Sequence, residues 1–287
     1  MAFLPMQELL DSHVHVWDLN RLRPTWLDAV AALDRNFSSA DYLAALPKVA
    51  RLRAIYLEID LPSVQRDAEF QIVQELLHDP GTPFVGAVLP GDPVGSDFTV
   101  WLAEVKREPM VRGLRRVLHT PDQPPGRCLE PAFIDGMRTL GAHDLHFELC
   151  MRSEELADVA SLARAAPETT LVLDHLGNPR LDGSDLSTWR DDLALVSEHS
   201  NVICKVSGLF QNASANWRLE DVSDIIDHAR RCFGIERLMF GGNWPVCTLR
   251  GSLVSWLDAV LAATADWSPA DLEALLHGNA AACYRVD

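Results

Sequence analysis

Positive charge is scarce in this chain: 25 Lys and Arg stand against 41 Asp and Glu, for a formal net charge of -16. Such a field repels polyanions, so nucleic acid and anionic membranes are excluded as expected partners. A small anionic substrate is not excluded, because local arginines can hold one. No window approaches the roughly 18 apolar residues of a membrane span, and Met1 to Leu10 lacks a basic segment followed by a long apolar stretch. The expected location is cytoplasmic. The six cysteines (Cys128, Cys150, Cys204, Cys232, Cys247, Cys283) show no Cys-x-x-Cys spacing, so reduced core thiols are expected. Internal repeats, low-complexity tracts and dividing linkers are also missing. With 48% hydrophobic residues in 287, one domain over residues 1–287 is the economical expectation.

What is present is a regular alternation of two periodicities. Short apolar, β-branched runs predict strands near Glu8 to His13, Ala54 to Ile59, Phe84 to Leu89, Val111 to Leu118, His146 to Met151, Thr170 to Asp174, Val202 to Val206 and Arg237 to Gly241. Helical spacing of apolar residues lies between them at Ala68 to Leu77, Phe98 to Val105, Phe133 to Leu140, Glu154 to Ala165, Leu186 to Val196 and Val222 to Cys232. Ser38, Ser153 and Ser268-Pro269 stand where helix N-termini need a capping group or a proline. Eight strand–helix units predict an α/β fold, a (β/α)8 TIM barrel.

In such a barrel the C-terminal strand ends carry the chemistry. Strand one closes on Asp11-Ser12-His13-Val14-His15, and residues two apart on a strand face one side, so both imidazoles are expected to share a space. The later strand ends supply Glu58 and Asp60; Arg112, Arg115 and Arg116; Glu148 and Arg152; Asp174 and His175; Lys205 and Ser207; and Asn243-Trp244. Core packing alone does not select ionisable residues at nearly every strand end, so the barrel mouth is expected to be a polar pocket. Strand alternation separates Arg115 from Arg112 and Arg116, and it turns Asp174 away from His175, toward a structural role. His78, His119, His146, His199, His228 and His277 fall on helical or solvent-facing patterns and are not expected in the site. Trp17, Trp26 and Trp244 are candidates for apolar walls around a ring. Thr120 to Arg127, with its three prolines, reads equally as a loop over the site or a plain surface loop.

Asp11-Ser12-His13-Val14-His15-Val16-Trp17-Asp18, Tyr56-Leu57-Glu58-Ile59-Asp60, Val111-Arg112-Gly113-Leu114-Arg115, Asp174-His175-Leu176-Gly177-Asn178-Pro179, Cys204-Lys205-Val206-Ser207-Gly208-Leu209 and Met239-Phe240-Gly241-Gly242-Asn243-Trp244-Pro245-Val246 follow one another in the chain. Together they resemble the signatures of the amidohydrolase superfamily, in the amidohydrolase 2 branch that includes sugar lactonases and 2-pyrone-4,6-dicarboxylate hydrolase. The resemblance runs from residue 11 to Asn279-Ala280. It implies a barrel that opens a lactone by water attack on the ring carbonyl, with His13, His15 and His175 lining the site and a small homo-oligomer as the assembly. Arg115, at the Gly-x-Arg position, is implied as the group that holds the substrate's carbonyl or carboxylate.

The chain departs from that pattern at strand eight, where Asn243 stands in place of the usual Asp. An amide cannot act as a base in the accessible pH range, so the proton must go elsewhere. His175 and Glu58 are the candidates, and His175 is favoured because an ordinary imidazole titrates near neutrality. The expected catalytic set is His13, His15, His175 and Asn243, with Arg115, Glu58, Trp17 and Trp244 binding substrate. Some members of the branch hold one divalent metal and others work without, so the cofactor is either none or one cation such as zinc, on His13, His15 and His175. Two other readings stay open: a metal-dependent decarboxylase of an enol or aromatic acid, and a barrel that binds or isomerises without hydrolysis because of Asn243.

Overall fold

The computed structural model describes residues 6–46, 48–214 and 217–286. Met1–Pro5, part of the stretch read for a targeting segment, therefore lies outside the described residues. Parallel strands β1 (Met6–Val14), β2 (Val49–Leu57), β3 (Phe84–Pro90), β4 (Val111–Val117), β5 (His146–Cys150), β6 (Leu171–Leu173), β7 (Val202–Val206) and β8 (Leu238–Phe240) form one 8-stranded sheet in chain order. The ring nearly closes where the His15 N–H donates to the Trp244 carbonyl at 2.8 Å and the Ser12 hydroxyl donates to the Phe240 carbonyl at 2.7 Å. The fold is a (β/α)8 barrel, and each expected strand is present within it.

Helices α1 (Ser39–Ala45), α2 (Arg66–His78), α3 (Phe98–Val105), α4 (Pro131–Gly141), α5 (Leu156–Ala165), α6 (Ser187–Ser197), α7 (Leu219–Phe233) and α8 (Leu253–Ala263) cover the outside. Their apolar faces meet the outward side chains of the strands, as Phe70, Trp101, Phe133, Val159, Leu193 and Ile225 do. Ser38 and Ser268 each accept a hydrogen bond from the backbone N–H three residues on, as expected of caps. Ser153 does not. It lies inside a short 3-10 turn (Ser153–Glu155), and α5 begins after that turn with no side-chain cap. None of the described helices is long and apolar enough to cross a membrane.

The barrel interior has two storeys. Below, Leu10, Ile55, Leu57, Val88, Val172 and Met239 form an apolar layer, which Ala280, Tyr284 and Val286 of the C-terminal segment close as a floor. Above it the inward side chains are ionic, and that layer underlies the mouth.

Candidate active site

The first strand sets the frame. Its register against β2 shifts between Asp11 and Val14, so an extra residue bulges at the Ser12-His13 step. Asp11 faces outward and clamps this bend: Oδ1 accepts the backbone N–H groups of Gly242 (2.6 Å) and His13 (3.0 Å), and Oδ2 accepts the Tyr42 hydroxyl (3.0 Å). Only glycine fits at 242, since a Cβ there would stand 2.3 Å from Asp11 Oδ2. The same clamp thus fixes His13 on β1 and the start of the loop that carries Asn243 after β8. His13 and His15 come together, ring centres 4.9 Å apart, and His175 lies 4.5 Å from His13.

Asp174 corrects the expected alternation. The chain leaves the extended conformation directly after it, with His175 at φ 57° and Leu176 at φ 55°. Strand geometry therefore does not carry over to His175, and Asp174 and His175 point into the same space. Asp174 Oδ2 accepts from Arg115 Nη1 at 3.2 Å, while its Oδ1 lies 3.3 Å from both Lys205 Nζ and His13 Nδ1. Lys205 also pairs with Glu148, whose Oε1 accepts the Tyr284 hydroxyl at 2.7 Å. Burial works to raise the Asp174 carboxyl, but Lys205 and His13 outweigh it and hold it well below the usual carboxylate range. Burial pushes the His13 pKa well below its ordinary value, with Lys205 and His175 adding to it against the pull of Asp174. His15 falls to about 3, chiefly through burial and then the charge of Arg115. Both strand-one histidines are neutral at pH 7.

A cavity of about 270 Å³ opens above this layer. Its walls include His15, Arg115, His175 and Asn243, as well as Trp26, Asp60, His119 and Thr120. Thr120 and the neighbouring Gln123 are held to the mouth by Arg152, which donates to both their carbonyls, so the proline-rich segment does border the site. Trp17 and Trp244 do not line the cavity; they are buried and packed edge-on against Phe37. Glu58 is likewise occupied, accepting from Arg115 Nε at 2.6 Å and from the Asp60 N–H at 2.6 Å. Both its oxygens are engaged and it is not among the residues that line the cavity, which places it behind Arg115 rather than against a substrate.

Arg115 faces inward, as the resemblance implies, while Arg112 and Arg116, set apart from it by the alternation, are half-buried outside. Its fork is already committed, however. Nε and Nη2 donate to Glu58, and Nη1 to Asp174 and toward His13 Nε2. That leaves one N–H of Nη2 for a ligand, too little for bidentate capture of a carboxylate. Burial opposes its charge, yet Glu58 and Asp174 keep Arg115 firmly protonated.

His15 Nδ1 lies 2.9 Å from the Leu57 carbonyl. A carbonyl only accepts, so Nδ1 carries the proton and Nε2 presents a lone pair. His175 is fixed through Nδ1, 2.8 Å from the Ser207 hydroxyl. Gly208 packs against its ring at φ 68°, and a Cβ there would stand 2.4 Å from His175 Cγ. Gly208→Ala combines a left-handed backbone with that clash, so it is expected to lower Tm through a loss of more than about 1 kcal/mol. It is also expected to reduce turnover of the best substrate by at least roughly tenfold through displaced geometry; thermal unfolding and kcat on the purified variant check both.

Asn243 also sits at positive φ, 50°, a conformation Asn tolerates better than most residues. Its Nδ2 donates to Gln211 Oε1 at 2.7 Å.

His13, Asp174 and His175 have ligand atoms within 4.8 Å of one another. Asp174 Oδ1 is buried and receives no well-directed hydrogen bond from the described residues, and two imidazoles with a carboxylate suit zinc. The donors therefore fit a divalent cation, with Asp174 in the set in place of His15, which lies outside the group. Sequence reasoning places Asp60 and Asp174 at the mouth but gives Asp60 no role and Asp174 only a structural one, and it leaves His119 out of the site.

The amidohydrolase family model matches residues 10–286. An L-fucono-1,5-lactonase of Burkholderia multivorans is 29% identical over 296 residues, spanning 96% of each chain. The crystal structure of an amidohydrolase from the same species, with bound zinc, superposes with a TM-score of 0.87 at 28% identity, covering 97% of this chain and 99% of that one. Amidohydrolase 2 from Bifidobacterium longum subsp. infantis gives a TM-score of 0.77 at 29% identity, with 97% and 99% covered.

Proposed function

The chain belongs to the amidohydrolase family, and from that premise we propose that it hydrolyses a neutral, polyhydroxylated lactone of about one sugar ring. The observation that carries the substrate class is the committed fork of Arg115. It is the one full cation among the described lining residues, and with its N–H groups largely spent on Glu58 and Asp174 it offers no bidentate partner for a free carboxylate. What lines the cavity is instead suited to hydroxyl groups: His15, with the lone pair of its Nε2, and the amide side chains of Gln211 and Asn243. The volume, near the small end of the ligand-pocket range of roughly 300–1,000 Å³, fits one ring. Lactone-opening activity in the relative of Burkholderia multivorans supports the reaction type.

In the reaction, water attacks the lactone carbonyl carbon. In the tautomer whose Nδ1–H donates to the Ser207 hydroxyl, His175 takes the water's proton at Nε2. The remaining Nη2 proton of Arg115 faces the developing oxyanion. His15 contributes no oxyanion donor, since its cavity-side nitrogen is an acceptor; it orients a substrate hydroxyl. Asn243 positions the water through its amide. His13, Asp174 and His175 would hold a divalent cation, which when bound supplies Lewis-acid polarisation; with Nδ1 on Ser207 it would occupy His175 Nε2, so the proton route through His175 is that of the cation-free site.

Hydrolysis of a 1,5-aldonolactone in ¹⁸O-water tests the chemistry, since acyl attack places the label in the product carboxylate. The non-hydrolytic reading draws on Asn243 itself. Asn243→Asp separates the two: on our account turnover does not rise above wild type, whereas a gain of about 10²-fold or more, the size of a restored general base, supports a barrel that had lost hydrolysis.

A further inference from the structure

Opening a lactone breaks the bond from the acyl carbon to the ring oxygen, and the electron pair stays on that oxygen. An alkoxide is a poor leaving group in water-free surroundings unless it is protonated as it departs. His175, having taken the water's proton, is on the wrong side to supply it.

The barrel ring shows what is on the other side. β2 and β6 lie four places apart in an eight-strand ring, so the residues just past their ends face each other across the mouth. His175 follows β6, and Asp60 follows β2; both line the cavity. Asp60 is held there by its own backbone, at φ 49°, and by its N–H, which donates to Glu58 Oε2 at 2.6 Å. Glu58 in turn is anchored by Arg115 at 2.6 Å. A non-glycine residue in the left-handed region, held by a buried carboxylate and an arginine, is the kind of backbone strain that clusters at functional sites. None of the described residues donates a hydrogen bond to the Asp60 carboxyl, which leaves it for a ligand.

Resting on the reading of this chain as a lactone hydrolase, we propose that Asp60 is the general acid that protonates the departing ring oxygen. The groups around it are Glu58, Arg115, Arg116 and His119, with His15 on the neighbouring strand end and His175 across the cavity. Burial, and then the charge of Glu58, raise its carboxyl to about 6, which keeps part of it protonated near neutral pH. The balance closes: water oxygen bonds to the acyl carbon and gives a proton to His175, the carbon–ring-oxygen bond breaks, and Asp60 gives its proton to that oxygen. Solvent then takes the proton from His175 and returns one to Asp60. One water is consumed, and the product acid ionises.

Asp60→Asn is the test, because Asn tolerates the left-handed backbone and keeps the side chain's size while removing the acid. Wild type and variant are compared on an alkyl 1,5-aldonolactone and on dihydrocoumarin, whose phenolic leaving group has an ordinary pKa near 10 and needs no proton. The expected result is a kcat loss of about 10²- to 10⁴-fold on the aldonolactone and a loss below roughly tenfold on dihydrocoumarin. If wild type turns over only the aldonolactone, its pH profile decides: the fall in kcat as pH rises past about 6 is expected to vanish in the variant. Equal losses on both substrates, or a variant profile that keeps the wild-type limb, overturn the role of Asp60. A wild type silent on every lactone overturns the hydrolase reading itself, which is a separate outcome.

Discussion

His175→Asn is expected to lower kcat on the best lactone by about 10²- to 10⁴-fold, equivalent to roughly 3–5 kcal/mol in the barrier, while Tm stays near wild type. The choice of Asn follows from the backbone. Residue 175 stands at φ 57°, where Asn is among the least strained side chains. Its short amide can also replace Nδ1 as the partner of the Ser207 hydroxyl, which lies 2.8 Å from that nitrogen. What is removed is the outer nitrogen that takes the water's proton. If the loss appears together with a large fall in Tm, the histidine is a packing residue. If kcat is unchanged, the proton goes elsewhere and the site assignment fails.

The largest stability effect is expected at Lys205. This side chain is fully buried, pairs with Glu148 and lies 3.3 Å from Asp174. Lys205→Met keeps most of the volume but leaves two buried carboxylates without their shared cation, and breaking such a pair costs about 3–5 kcal/mol. In a domain of this size that is a fall in Tm on the order of 10 °C. The sign of the pH dependence separates charge from packing. In wild type the Asp174 carboxyl is held below its unfolded value, so it contributes stability above that value and loses it as pH falls. In the variant, burial without the cation makes the carboxyls bind protons more tightly folded than unfolded, so stability falls as pH rises. The gap between the two proteins is therefore expected to widen from pH 5 to pH 8 in thermal unfolding. A constant gap points to packing alone.

Much of this architecture is legible in the chain because its signals are local. Short apolar, β-branched runs mark the strands, and polar residues at their ends mark the mouth; alternation brings His13 and His15 together and separates Arg115 from Arg112 and Arg116, while the choice of Arg115 as the inward one comes from the family resemblance. The misplacements share one cause, which is that they depend on where the backbone stops being regular. A continuing strand would turn Asp174 outward, yet the chain turns left-handed at His175. Trp17 and Trp244 have strand-end positions but are drawn into the aromatic cluster with Phe37. The ionic layer depends on contacts such as Lys205 to Glu148, separated by 57 residues, and on Tyr284 from the far end of the chain. His119 lies past the end of β4, where a plain strand-end rule would have found it.

The measurement that bears most directly on the account is acid release by the wild-type protein on a panel of 1,5-aldonolactones and 2-pyrone-4,6-dicarboxylate near pH 7, each with and without a strong chelator. The account predicts steady acid release from at least one neutral sugar lactone and much slower release from the dicarboxylate, with the chelator arm reporting whether the His13–Asp174–His175 cluster needs a cation. Release from the dicarboxylate alone would contradict the reading of Arg115, and silence across the panel would contradict hydrolysis at this site.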